Sequence, residues 1–136
     1  MRPEEASCIL AMSTTMTTDC VARNATRGTV LGSRVAIAES LGARLRGLLG
    51  TRDLPPFHGL LIRPCKQVHS FLMQYALDLV FVGGDGRVLR TVPDFGRNRV
   101  SPYVWKAAAV LELPAGTLVH TPTEPGDVLA IEPRPC

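Results

Sequence analysis

The sequence predicts an α+β domain: a mainly antiparallel sheet of about seven short strands, curled or barrel-like, with one short helix. Three observations carry this. Short apolar runs bounded by Gly, Pro, Asn or Asp recur between Val21 and Ile131, the pattern of strands joined by tight connections. Leu41, Leu45, Leu48 and Leu49 alone have helical spacing. Between Tyr75 and Val92 two extended runs flank Gly83-Gly84-Asp85-Gly86, a connection tolerant of positive φ and therefore a hairpin signal.

In chain order, residues 1–20 are Ser/Thr/Met-rich without helical or strand period and are expected as a disordered tail; the single globular domain is expected over residues 21–136. Met12 and Met16 offer alternative starts. Asn24-Ala25-Thr26 fits a glycosylation sequon but, with no secretory signal before it, reads as a loop. Val30-Leu31 and Arg34 to Ala38 read as two strands of a hairpin turning at Gly32-Ser33. Ser40 suits an N-cap and Gly50 the end of the leucine helix, whose interior Gly42 and Gly47 make it depend on docking against the sheet. After Leu54-Pro55-Pro56 comes a short strand, Gly59 to Ile62, leading through Pro64 into Cys65. The hairpin strands Tyr75 to Val82 and Arg87 to Val92 follow, then a Pro/Gly/Asn loop from Pro93 to Pro102 that carries Arg97 and Arg99. Ala107 to Leu113 reads as a buried strand stopped by Pro114-Ala115-Gly116, Thr117 to His120 as its partner, and Val128 to Ile131 as a last strand after the Gly126-Asp127 turn.

Composition bounds the function classes. A chain of 136 residues fits one domain, and a domain of that size buries about two thirds of its unfolded surface without staples. Fifteen basic against 12 acidic residues give a net charge of +3, too weak for a nucleic-acid partner without a clustered basic face. Cys8, Cys20, Cys65 and Cys136 form no C-x-x-C pair and no zinc spacing, so thiols are expected. No apolar run reaches the roughly 20 residues of a spanning helix. These features read as a soluble, cytoplasmic protein with no membrane partner and no cofactor.

The blocks R-L-R-G-L-L-G (Arg44 to Gly50), Pro64-Cys65, V-H-S-F-x-M (Val68 to Met73), L-D-L-V-F (Leu77 to Phe81), D-G-R-V (Asp85 to Val88), V-L-E-L-P-A-G (Val110 to Gly116) and Gly126-Asp127, in this order, resemble the bacterial and archaeal domain-of-unknown-function family one-nine-two. The resemblance implies a compact, strand-rich single domain and brings no established activity, substrate or cofactor. The chain departs from the pattern at Ala76, where similar sequences have Pro, and at Thr51-Arg52, where they have Arg directly after the G-L-L-G block.

Candidate site residues follow from spacing. Cys65, His69 and Met73 recur every four residues. On a helix they could share a soft metal; on a strand four residues span about 13 Å, too far for common ligation. The apolar run favours a strand, so no metal is assigned. On that reading His69, Phe71, Met73, Tyr75, Leu77, Leu79 and Phe81 share the core face, with His69 at its rim and Cys65 a small buried hydrophobe. A Cys65/His69 nucleophile pair is the sharpest enzymatic reading but lacks a third, orienting member. Asp78 and Glu112 interrupt apolar strands; they are read either as a carboxylate pair or as buried acids satisfied by backbone N–H groups or by Arg44, Arg46 or Arg90. Asp127 is read as a turn residue.

Two functions remain. The favoured one is a small non-catalytic accessory domain whose barrel end, rimmed by His69, Arg97, Arg99 and Trp105, takes a small molecule or peptide, with Tyr103 adding to the contact surface. The alternative is a hydrolase or transferase using Cys65/His69 or Asp78/Glu112.

Overall fold

The computed structural model describes residues 16–39, 54–71 and 73–134. These residues form seven strands and one short helix: β1 (Met16–Asn24), β2 (Thr29–Ala38), β3 (His58–Ile62), β4 (Leu77–Val82), β5 (Val88–Phe95), β6 (Ala109–Pro114), α1 (Thr117–His120) and β7 (Leu129–Pro133). The strands make one sheet in the order β5-β4-β6-β3-β2-β1-β7. β2 and β3 run parallel, Arg34 opposite His58 through Ala38 opposite Ile62, and the other neighbours pair antiparallel.

The sheet curls into a half-barrel until its two edge strands touch at one end. Arg87 bridges Val128 there, with Val88 N–H donating to Asp127 (2.7 Å), Gly126 N–H to Val88 (2.9 Å) and Leu129 N–H to Gly86 (2.8 Å). Gly86 is required at this seam. Its φ is +86°, and a Cβ would stand 2.8 Å from the Leu129 carbonyl oxygen.

Two apolar clusters fill the two faces. Leu31, Val35, Leu61, Val80, Leu111 and Leu113 lie in the concave interior; Leu60, Ile62, Leu77, Leu79, Phe81 and Val110 lie on the outer face under the segments that contribute Cys65, Val68, Met73, Phe95 and Ala107. This explains why β4 and β6 read as near-continuous apolar runs: both of their faces are covered.

Several expectations are corrected. The domain is predominantly β rather than α+β, and its sheet is mixed rather than mainly antiparallel, because β2 and β3 pair in parallel. The leucine helix and Arg44 fall outside the described residues. Thr117–His120 is one helical turn, not a strand. No turn occurs at Gly32-Ser33: β2 runs straight through, its irregularity absorbed by Ser33 and Arg34 N–H both donating to the Phe57 carbonyl (2.8 and 3.0 Å). The tail expected over residues 1–20 overlaps β1, which begins at Met16 and pairs with both β2 and β7.

Candidate functional site

Residues 65–71 and 99–108 cross the outer face as an irregular two-stranded ladder. Ser70 N–H donates to Arg99 (2.8 Å), Ser101 N–H to Val68 (2.9 Å), Val104 N–H to Lys66 (2.9 Å) and Cys65 N–H to Ala108 (3.2 Å). Two buried serines hold it together. Ser101 Oγ accepts from Val68 N–H (3.0 Å), and Ser70 Oγ accepts from Arg99 N–H (2.9 Å). Period-two alternation then sorts the side chains: Val68 and Ser70 point inward, while His69 and Phe71 point to solvent. The exposed side is unusually aromatic. Trp105 is 69% exposed, Tyr103 62%, Val100 54% and Phe71 45%. His69 bridges Val100 in backbone pairing and stacks its ring on Phe71, centroids 5.0 Å apart at 24°. Lys106 Nζ lies 5.7 Å over the Trp105 ring.

The ribbon is also cationic. No Asp or Glu occurs from Pro64 to Leu77 or from Phe95 to Leu111, stretches that carry Lys66, Arg97, Arg99 and Lys106. All four are exposed. Lys66 Nζ donates to the Trp105 and Ala107 carbonyls (2.6 and 2.9 Å), tying the two segments of the ribbon to each other.

The residues proposed for chemistry are not gathered. Cys65 and Met73 are buried in the outer cluster, where Cys65 Sγ donates to the Gln67 carbonyl (3.2 Å). His69 is exposed and has no hydrogen bond to Cys65 among the described residues, so the Cys65, His69 and Met73 set does not converge. His69 and Phe71 leave the core face assigned to them because residues 65–76 do not continue strand β4, which begins at Leu77.

Asp78 and Glu112 face opposite sides of the sheet. Asp78 stands opposite Leu113 of the interior cluster, Glu112 opposite Leu79 and Leu60 of the outer one, which excludes the carboxylate pair. Asp78 is buried and accepts three backbone hydrogen bonds: Oδ1 from Asp94 N–H (2.8 Å), Oδ2 from Gly116 N–H (3.1 Å) and Leu118 N–H (2.8 Å). It thereby fastens β4, β5 and the start of α1 together. Glu112 is buried and its carboxyl has no hydrogen bond or ion pair among the described residues; burial pushes that carboxyl up to about 8, so it is largely protonated at neutral pH. Asp127 closes the Glu124–Asp127 turn as expected and does more. Its Oδ2 accepts from Asn24 Nδ2 (3.0 Å), Glu124 N–H (3.0 Å) and Arg27 Nε (2.6 Å), which hold the carboxyl down at about 2.

A family profile for the domain of unknown function DUF192, described as Uncharacterized ACR, matches residues 22–131. The chain belongs to this family. No curated protein matches it. Among solved structures, this DUF192 domain is similar to a protein from Sinorhizobium meliloti 1021 provisionally called a transcription regulator, with 24% identity over 85% of this chain and 95% of that one and a TM-score of 0.73. It is also similar to a protein of unknown function from Novosphingobium aromaticivorans DSM 12444, with 22% identity over 82% and 83% and a TM-score of 0.70. Both share the fold. Neither the family nor this relative of unknown function indicates a catalytic activity.

Phe71 and Val100 are the ribbon residues that reading the DUF192 sequence missed. The available signal was the run of residues 66–71, where the inward positions hold only Val68 and Ser70 while the bulky rings fall on the alternate set.

Proposed function

We propose that this DUF192 domain is a non-catalytic binding module that takes an acidic, partly apolar polypeptide segment along the ribbon of His69, Phe71, Val100, Tyr103 and Trp105. The observation that carries this reading is the exposed aromatic strip on a hydrogen-bonded ladder flanked by Arg97, Arg99 and Lys106 without an acid beside them. Large aromatic side chains held rigid in solvent are the anchors of protein interfaces, and the flanking cations favour an acidic partner. A single-stranded nucleic acid is disfavoured, because base stacking needs open ring faces. Here His69 and Phe71 stack on each other and Lys106 stands over one face of Trp105.

The test is an array of immobilised acidic peptides with and without aromatic residues, probed with the full chain. Aromatic acidic peptides should retain it. Trp105→Ala and Arg99→Glu should each weaken retention at least about tenfold, with His69→Ala changing stability by less than about 1 kcal/mol. Equal retention of Trp105→Ala, or preferential binding of an oligothymidylate, would overturn the reading.

A further inference from the structure

A cavity of about 340 Å³ opens at the end of the half-barrel where β4 turns into β5. Its floor is Leu61, Val82, Ala109, Leu129 and Ile131, the first four drawn from the interior cluster and the last packed against it, so the opening leads into the concave core. The volume falls within the roughly 300–1,000 Å³ of small-molecule sites, which are mainly apolar with a few placed polar groups. Arg63 is the charged residue of the lining.

The state of that guanidinium matters. Arg63 Nε (3.2 Å) and Nη2 (2.6 Å) both donate to Glu39 Oε1, while Nη1 has no hydrogen bond among the described residues. Both partners are about two-fifths exposed, at 42% and 40%, so the pair is weakly held and an incoming anion can share or replace Glu39.

We propose that this cavity binds a small carboxylate carrying an apolar chain, the carboxylate on Arg63 and the chain against Leu61, Val82, Leu129 and Ile131. An apolar floor with a guanidinium at its edge selects an amphipathic anion over a neutral oil and over a bare inorganic ion, because only the former satisfies both. Glu39 is then a competitor for Arg63, and the two residues must act in opposite directions.

The same chemistry is offered by a free acid and by the C-terminal carboxylate of an apolar peptide, so octanoate and N-acetyl-valyl-leucine are the two probes, with octan-1-ol and acetate as tail-only and head-only controls. Titrations of the full chain are followed by calorimetry and by backbone amide shifts. One of the two probes should saturate and shift the Gly84 and Ile131 amides, and which one does so identifies the source. Arg63→Gln should weaken it by about tenfold; Glu39→Gln should strengthen it by up to about fivefold; Trp105→Ala should leave it unchanged, which separates this site from the ribbon. Both charge variants alter exposed residues, and thermal melts verify that they fold. Failure of both probes to saturate, octan-1-ol binding as tightly as octanoate, weakening by Glu39→Gln, or shifts confined to the His69 ribbon would each overturn the proposal.

Discussion

Asp78 and Glu112 are two carboxylates on adjacent strands of one sheet with opposite fates, and the difference is what each meets on its own face. Asp78 meets three backbone N–H donors. Asp78→Ala should therefore destabilise the fold by about 3 to 5 kcal/mol in urea unfolding, since it takes the acceptor from three part-buried donors at about 1–3 kcal/mol each; Asp78→Asn, which keeps an acceptor oxygen, should lose less. Glu112 meets leucines, and its carboxyl sits at about 8 in the fold against 4.5 in the open chain. The native state thus holds a proton that the unfolded state has released, so its contribution is fully present below pH 4.5 and is lost as pH rises through about 8. Unfolding measured from pH 5 to 9 should show stability falling over that window by up to a few kcal/mol. Glu112→Gln should flatten the slope and be the more stable protein at the alkaline end. Parallel curves for the two would mean that Glu112 is not held neutral.

At the scale of elements, the β4–β5 hairpin was legible because its signals are local: an apolar run, then glycines tolerant of positive φ, then a second extended run. Leu79→Ala should cost about 2 to 5 kcal/mol, since Leu79 is wholly buried in the outer cluster, whereas Arg87→Ala beside the turn, exposed and only loosely paired, should stay within about 0.5 kcal/mol. Comparable losses from the two would mean the face is misassigned. What escaped the sequence were features made by distant partners. Gly32-Ser33 has the composition of a turn, yet the Phe57 carbonyl holds the next two N–H groups in place and β2 continues. His69 and Phe71 keep the parity of β4 in the sequence but lose it in space, because residues 65–70 pair with residues 98–108 rather than continuing into β4. Asp78 as a buried acid held by backbone was foreseeable from its apolar setting; which donors hold it was not, since Gly116 and Leu118 lie 38 and 40 residues away.

For the whole molecule, curling the sheet until β5 meets β7 fixes where the open end and the ribbon stand. Gly86 is the narrowest point of that closure, so Gly86→Ala, with φ of +86° and a Cβ driven against the Leu129 carbonyl, should destabilise by about 1–3 kcal/mol, read from the unfolding midpoint. The curl of a many-stranded sheet was readable from strand spacing, while β1, whose residues lack a strand period, and the parallel β2–β3 pair were not, because the linking residues carry no sign of which edge the chain returns to. Function rests on the outer ribbon, and the chain supplies its own reporter there: Trp105 is its only tryptophan and is exposed. The most direct measurement is Trp105 emission, excited beyond tyrosine absorption, during titration with a glutamate–tyrosine copolymer, with polyglutamate and oligothymidylate as controls. This account expects a saturable change with the copolymer, a smaller one with polyglutamate and none with oligothymidylate. Flat emission with the copolymer, or an equal response to oligothymidylate, would contradict a polypeptide-binding ribbon.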